Sequence, residues 1–536
     1  MSKVSSKKKI ARGAVVVSSA TMVSRILGYV RDMVIARFFG AGMAADAFFV
    51  AFRIPNTLRE LVGEGALSAS FIPVFTEQMG QDKKRDAWKM AASLLNLMVI
   101  FLTVVTIIGI LLSPYLIRIM APGFAQIPHK MELTVFLNRL MFPYIFMLSL
   151  AALFMGILNS MGHFSTPALS PVFLNIALII CALLLSPRLS QPAVALAIGV
   201  LLGGVGQLTL QFIVAFKKGF RFMKYMDIRD PSLRRVLLLM LPSSAGLAVS
   251  QVNHFVSTFL ASFLQQGSVS YLFYSMRMVS LPNGLIGVAL GTVILPTFSE
   301  VAARKDMGEL RENFSFALRL SFFMTLPVLV IYLFFGVPMI QVLFERGLFD
   351  RQATLYTAQA LLYYSLGLIF SVSNRIIIPT FYALQDTKTP VKISMITVAS
   401  NVGLSIALVY PLSFCGLALA TSLSSLLSFI LLLWYLRKKV GRLDGKKIFR
   451  SWSKTVAASA AMALAALLYV YFVPIISHPR LLVRAFWLAL GFILSAGVYT
   501  VVAYLLKSGE LLNGIQLLKR KAGRVTPTTL AGDDEL

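Results

Sequence analysis

Residues 24–77, SRILGYVRDMVIARFFGAGMAADAFFVAFRIPNTLRELVGEGALSASFIPVFTE, decide the fold. With its charges set aside, this stretch and the AVVVSSATMV before it read as two apolar, small-residue membrane spans, near 14–38 and 44–76. Yet Arg25, Arg31, Asp32, Arg37, Asp46, Arg53, Arg59, Glu60 and Glu64 all fall inside them. A charge at the bilayer centre costs about 3 to 10 kcal/mol, so such residues face a wet cavity, pair with one another, or meet a charged ligand. Five of the nine are arginines, and the positive excess points to an anionic substrate in a membrane cavity.

The rest of the chain supports the membrane reading. Its 536 residues are 57% hydrophobic and only 13% charged, with a mean hydropathy of +0.79. A soluble domain has roughly 45–50% apolar and about 25% charged residues. Stretches of about 20 residues, enough to cross the hydrocarbon, recur fourteen times. They lie near 14–38, 44–76, 88–120, 132–159, 167–186, 192–216, 234–264, 268–300, 313–343, 353–383, 391–410, 415–436, 454–474 and 485–506. The basic start MSKVSSKKKIARG is followed by a long, arginine-bearing segment, which reads as a retained first span and not a signal peptide. Cys181 and Cys415 form no metal or redox spacing, the four histidines are scattered, and no cofactor motif is seen.

A net charge of +28 suggests nucleic acid until the charges are placed. The loops at 1–12, 77–89, 160–166, 217–235, 301–312, 385–392, 437–454 and 507–524 share one side and hold 34 of the 50 Lys+Arg. The opposite loops hold six, namely Lys130, Arg188, Arg346, Arg351, Arg480 and Arg484. Positive-inside bias puts both termini in the cytoplasm. The basic excess is then a topogenic signal and a contact with anionic membrane lipid, and nucleic acid is not expected as a partner.

An internal repeat shows at an offset of 223. Pro73-Val74-Phe75-Thr76-Glu77 matches Pro296-Thr297-Phe298-Ser299-Glu300, Ala66-Leu67 matches Ala289-Leu290, and Thr166-Pro167 matches Thr389-Pro390. Each copy holds six spans, an even number, so both enter from the same face as parallel lobes. The expected fold is an all-α polytopic membrane protein of 14 transmembrane helices, with two parallel six-helix lobes around a central cavity and two C-terminal helices. The divisions are 1–224, 225–445, 446–507 and a cytoplasmic tail at 508–536.

Helical geometry limits how the charges converge. Arg25 and Arg31 are six apart, as are Arg53 and Arg59, so on a straight helix each pair diverges by about 120°. Gly28 and Pro55 lie within the pairs, where bending brings them together. Glu60 and Glu64 share a face at i,i+4, while Asp32 and Asp46 are candidate partners or gates. Salt bridges between the two spans are the competing structural reading, and Arg37 and Arg53 fit snorkelling or a span end better. For Arg25, Arg31 and Arg59 the phosphate reading leads, since Arg forks onto phosphate and keeps its charge when buried. Arg277, deep in span 8 with no acid within twenty positions on either side, adds a ligand from the second lobe; Arg375 is a lesser case. The site is then a clamp between the lobes.

The 24–77 run resembles the MurJ (MviN) lipid II flippases of bacterial peptidoglycan synthesis, and APGF at 121–124, FPYI at 142–145, GVALGTVILP at 287–296 and DTKTPVKI at 386–393 agree with it. The likeness covers roughly residues 14–440. It implies membership of the multidrug/oligosaccharidyl-lipid/polysaccharide exporter superfamily, two six-helix lobes plus two helices, and a bacterial cytoplasmic-membrane transporter, not an enzyme. The substrate it implies is an undecaprenyl-pyrophosphate-linked disaccharide-pentapeptide, moved by alternating access, with the cell-wall synthesis machinery as a further partner. On the family's motif, Arg25 and Arg31 are the first-span arginines, with Asp32 beside them; Asp46 is the aspartate of GMAADAFF. Arg59 is the arginine of PN-x-LR, Glu64 the acid of EGA, and Arg277 the arginine added by the second lobe. One departure is that spans 7, 11 and 12 hold Asn253, His254, Ser257, Asn401, Ser405, Thr421 and Ser422 but no carboxylate for a sodium site. Membrane potential, worth about 2.3 kcal/mol per charge per 100 mV, is an alternative driver.

A flippase for another undecaprenyl-pyrophosphate-linked polysaccharide unit is the nearest rival. A multidrug exporter is more distant, because an arginine-rich cavity repels cations. A glycosyltransferase on the same lipid needs acid/base or metal-binding carboxylates in an outer loop, and those loops offer Glu345 and Asp350 in one short turn.

Overall fold

The computed structural model describes the backbone of residues 2–61, 66–80, 84–473, 475, 478 and 480–521. Its side chains are described from residue 19 onward, apart from those of 66, 243, 245–247, 249–250, 288–289 and 517–521. Regular structure among the described residues is helical throughout. A helix bonds every backbone group within its own segment, which a hydrocarbon surround demands.

The chain divides into two compact units. The first comprises Met1–Tyr274, Leu343–Tyr356 and Ser405–Leu417. It holds α1 (Ser2–Phe39), α2 (Met43–Arg59), α3 (Ala66–Gly80), α4 (Lys84–Met120), α5 (Lys130–Met141), α6 (Tyr144–Ser160), α7 (Ser165–Leu184), α8 (Ala193–Lys217), α9 (Pro231–Ser262) and the start of α10 (Ser268–Pro282). Its core centres on α6, whose Leu148, Leu153, Ile157 and Leu158 are all buried, between α3 and α8. Small residues set the closest approaches: Gly199 and Gly203 of α8 lie against Leu178 and Leu174 of α7. Helix α7 in turn packs along α1, α2 along α5, and α9 along α3. Asp230 starts α9 by accepting from Ser232 N at 2.7 Å, with Pro231 already at a helical φ.

The second unit comprises Ser275–Val342, Thr357–Leu404 and Ala418–Leu536. It holds the remainder of α10, then α11 (Ala289–Ala303), most of α12 (Met307–Phe344) and of α13 (Arg351–Leu366), α14 (Leu368–Ala383), most of α15 (Lys388–Leu412) and of α16 (Phe414–Val440), α17 (Gly445–Phe472), α18 (Leu481–Leu505) and α19 (Gly509–Lys521). Phe298, Phe314, Leu318, Ile376, Phe381 and Leu436 form its core. Helices α17 and α18 pair with each other, and the Tyr499 hydroxyl donates to the Phe323 carbonyl at 2.7 Å. Asp386 anchors the start of α15. It accepts from Thr389 N at 3.0 Å, Thr389 Oγ1 at 2.8 Å and Lys439 Nζ at 2.8 Å. The Lys439 bond is the main reason its carboxyl sits at about 2, below the ordinary range.

The offset of 223 recurs in the helix boundaries. Helix α3 at 66–80 has its counterpart in α11 at 289–303; α1 and α9 end at 39 and 262, and α2 and α10 at 59 and 282. The backbone takes a π-helical turn at 60–61 and again at 283–288.

Ten helices or helix runs among the described residues are long and apolar enough to cross a membrane, or eleven with the pair 351–366 and 368–383, bent by 41°, taken as one span. The expected spans at 14–38, 44–76 and 234–264 are outside that set, although α1, α2, α3 and α9 run through them. Leu111, Tyr471, Leu482 and Ile493 are 66–83% exposed, which suits a surface covered by hydrocarbon.

Candidate functional site

On α1 the two arginines have different surroundings. Arg31 donates to Asp32 Oδ1 from Nε at 2.9 Å and from Nη2 at 2.7 Å, and to Asn175 Oδ1 of α7 from Nη1 at 3.1 Å. Asn175 is itself oriented by donating to the Ser24 carbonyl at 3.0 Å. The Arg31 side chain is 12% exposed and that of Asp32 fully buried. Three of the five guanidinium N–H bonds are thereby used, and the fork is held in one orientation. Arg25, one and two-thirds turns earlier, is half-buried and makes no hydrogen bond or ion pair among the described residues. Arg37 is exposed beyond them at the helix end.

On α2, Arg59 donates from Nε to Asn56 Oδ1 at 3.2 Å and from Nη2 to Glu60 Oε1 at 3.3 Å. Glu60 also accepts from Asn56 Nδ2 at 3.0 Å and from Gln251 Nε2 of α9 at 2.8 Å. The π-helical turn begins at this cluster, so Arg59 and Glu60 sit where the helix is locally widened, as such turns often do at functional sites. Arg53 donates to the His254 carbonyl of α9 at 3.0 Å and to Thr258 Oγ1. It is thus a tie between helices and not the snorkelling side chain that its sequence suggests. Glu64 lies outside the described residues.

Asp46 occupies the most elaborate setting. Its Oδ2 accepts from Lys130 Nζ and from Gly267 N, both at 2.8 Å, and its Oδ1 from Ser270 N at 2.9 Å and Ser270 Oγ at 2.6 Å. The side chains of Asp46 and Lys130 are 1% and 2% exposed. The carboxylate therefore caps the N-terminus of α10, where backbone N–H groups and the helix dipole favour a negative charge. Lys130 Nζ lies 4.0 Å from the centre of the Phe124 ring, which supplies a cation–π contact. Sequence placed Lys130 in an outer loop; burial follows because Asp46, 84 positions away, is its counter-ion. The turns around this pair close tightly. Gly40 and Gly267 have φ of +60° and +95°, and a Cβ on either would stand 2.4 Å from the Leu348 oxygen or 2.3 Å from the Ala41 oxygen. Tyr274, fully buried beside them, donates to the Gly40 carbonyl at 3.2 Å. Between α12 and α13, burial and then the neighbouring Arg37 push the Arg346 guanidinium down from its usual value.

In the second unit, Arg277 is half-buried on α10, and the carbonyl of the following Met278 accepts from the Tyr332 hydroxyl at 2.8 Å. The exposed Arg375 of α14 lies across the second π-helical turn, where a Cβ on Gly287 would come within 2.5 Å of its Cδ.

Of the seven candidates, the first unit therefore places Arg31 with Asp32, Arg59 with Glu60, and Asp46 with Lys130. Lys130, Asn175, Gln251 and the bonding role of Arg53 were not found from sequence. Their partners are 84 to 205 positions away, and no spacing signals them.

The family model described as "Lipid II flippase MurJ" matches residues 35–491. A probable lipid II flippase MurJ of Vibrio cholerae is 38% identical over 442 residues, covering 81% of this chain and 84% of that protein. The lipid II flippase MurJ of Burkholderia cenocepacia is 37% identical over 439 residues, covering 80% and 84%. Among solved structures, a lipid II flippase MurJ in an inward closed conformation aligns with a TM-score of 0.76 at 27% identity, over 95% of this chain and all of that one. An inward-facing multidrug transporter of the MATE family shares the fold, at a TM-score of 0.69 and 16% identity. On the match over residues 35–491 and these identities, the chain belongs to the MurJ family of lipid II flippases.

Proposed function

We propose that this chain carries lipid II from the inner to the outer leaflet of the bacterial cytoplasmic membrane by alternating access, with arginines as the pyrophosphate ligands. Family membership makes it a transporter of lipid II and not an enzyme. The observation that carries the ligand assignment is Arg31, a guanidinium held at 12% exposure by Asp32 and Asn175 with N–H bonds to spare. An ammonium or a neutral donor would not keep both charge and fork geometry there. Arg25 supplies a second cation on the same helix and Arg59 a third, while Asp32 and Glu60 orient them. Arg277 is proposed as the ligand contributed by the second repeat. Asp46 is the proposed outer gate, because releasing Gly267 N and Ser270 N from its carboxylate uncaps α10. Glu64 keeps its assignment beside Arg59 on the family motif alone.

The same reading takes the chain as fourteen spans, with 1–224 and 225–445 as parallel lobes, 446–507 as an added helix pair, and both termini cytoplasmic. Its support is the repeated helix boundaries and the charge asymmetry of the loops.

The test is complementation of a strain depleted of its own lipid II flippase, read as lipid II exposed at the outer face. Arg31→Ala, Arg59→Ala and Arg277→Ala are each expected to abolish exposure at normal membrane abundance, and Lys at these sites to restore only part of it. Undiminished exposure in all three alanine variants would overturn the ligand assignment.

A further inference from the structure

Residues 217–235, from the last residue of α8 into the first turn of α9, carry seven Lys+Arg and two acidic residues. The structure ties this connector to α4: Asn96 Nδ2 donates to the Met223 and Tyr225 carbonyls at 3.0 Å each, and Asp227 N donates to Ser93 Oγ at 3.1 Å. Both acids are occupied by backbone amides, Asp227 by Arg229 N at 2.9 Å and Asp230 by Ser232 N at 2.7 Å. Arg235 is paired with Glu77 at 2.9 Å. The guanidinium groups of Arg229 and Arg234 make no hydrogen bond or ion pair among the described residues.

Two cavities adjoin here. One of about 330 Å³ is lined by Arg229, Arg234, Arg235 and Leu238. The other, of about 440 Å³, is an almost wholly apolar groove between α4 and α9, with Leu97, Phe101 and Leu241 on its walls. Arg234 and Leu238 line both, so the basic chamber and the apolar one share a wall. Each lies within the range of small-molecule sites, about 300–1,000 Å³. Phe101, Leu238 and Leu241 are 51–69% exposed, so the groove is open to the hydrocarbon of the bilayer.

We infer that this paired cavity is a binding site for one anionic glycerophospholipid, with its phosphate on Arg229 and Arg234 and an acyl chain along the α4–α9 groove. The two polarities meet at Arg234 and Leu238, a pairing that an amphiphile matches end to end. Two exposed guanidinium groups with no partner among the described residues select a phosphate that carries net negative charge over a zwitterionic headgroup. The substrate's own polyprenyl diphosphate is the other amphiphile of this kind, but its proposed ligands are Arg31 and Arg59 on α1 and α2. The site is independent of that assignment.

The full-length chain, purified and stripped of lipid, is titrated with phosphatidylglycerol, with phosphatidylcholine of the same acyl chains, and with undecaprenyl diphosphate, and bound lipids are counted by native mass spectrometry. One phosphatidylglycerol is expected to bind more tightly than any phosphatidylcholine. Arg229→Gln with Arg234→Gln should weaken it about tenfold, the scale of one lost charge-assisted hydrogen bond. Leu241→Trp should weaken it with the charges intact, and unchanged melting temperatures in lipid-free detergent show that the variants fold. Equal affinity for phosphatidylcholine, unaltered affinity in the double variant, or one-for-one displacement by undecaprenyl diphosphate would overturn the inference.

Discussion

Helix α2 and helix α10 occupy equivalent places in the two copies of the repeat, and they share a backbone but not a chemistry. Each ends 223 residues from the other, runs into a π-helical turn, and resumes as a 15-residue helix. At the same offset, however, Asp46 becomes Val269, Arg53 becomes Met276, Arg59 becomes Pro282 and Glu60 becomes Asn283. On the preceding helices, Arg31 becomes His254 and Asp32 becomes Phe255. The widened turn is therefore a property of the repeat and does not depend on the charges beside it. The charges are an addition to one copy, placed where the backbone was already bent.

Writing the second copy's residues into the first tests this separation. Asp46→Val carries the largest expected effect, because it leaves Lys130 buried at 2% exposure without a counter-ion. Breaking a buried ion pair by removing one partner costs about 3–5 kcal/mol. The melting temperature of the purified protein should fall well below that of the native chain, and Lys130→Met on top of Asp46→Val should recover most of the loss. A single variant that melts with the native protein would show that the Lys130 bond contributes nothing net. Outer-face lipid II exposure should fail in the single variant, since α10 also loses its cap.

Arg31→His comes next, and it is read in transport. A histidine keeps a ring donor there but neither the permanent charge nor the fork of a guanidinium. Relative to the native chain in proteoliposomes at the same pH, flipping should fall at least about a hundredfold at pH 7.5, equivalent to roughly 2.7 kcal/mol. Lysine at the same position should return part of it, because it keeps the charge but not the fork. Native-like flipping at pH 7.5 would mean that charge at this position is dispensable and that the two copies differ here without consequence.

What sequence made legible follows the same divide. Arg25, Arg31, Arg59 and Arg277 stand out because a permanent charge inside an apolar stretch needs no partner to be noticed. The repeat was visible in Pro73–Glu77 and Pro296–Glu300 because both copies keep the helix that follows the π-helical turn. Lys130 was not legible: it sits at the first position of α5, where a lysine ordinarily meets water, and its burial is fixed by a carboxylate on α2. Nor was the role of Arg53, whose acceptors on α9 are a carbonyl and a hydroxyl, groups that leave no pattern in sequence. The charge-poor spans were found by length and apolarity, whereas α1 and α2 were found despite their charges, and they hold most of the candidate residues.

Gly40→Ala tests the turn that the two copies do not share, since position 263 in the second copy is Phe. The Gly40 φ of +60° disfavours any Cβ, and the Leu348 oxygen would stand 2.4 Å from it. Because that neighbour is backbone, the turn must open, at a cost of about 1 kcal/mol or somewhat more. The measurable outcome is a lower melting temperature, smaller in shift than for Asp46→Val. An unchanged melting temperature would mean that the 343–356 segment yields freely.

The smallest effect belongs to the caps of α7 and α15, where the copies diverge in the opposite direction. Asp386 begins α15, and at the same offset His163 precedes α7, with its Nε2 2.9 Å from Thr166 Oγ1. Here the second copy holds the charge. Asp386 sits at about 2 in the folded protein against an ordinary 3.8, so its contribution is fully present above pH 3.8 and is lost as pH falls through about 2. Lys439 is 40% exposed, and solvent screens that pair, so Asp386→Asn should cost only about 1 kcal/mol or less at neutral pH. The difference between native and variant melting temperatures should shrink between pH 3.8 and 2, as the native carboxyl takes up its proton. A gap that stays constant across that range would show that Asn caps α15 less well for reasons of shape, and that the charge added to this copy is idle.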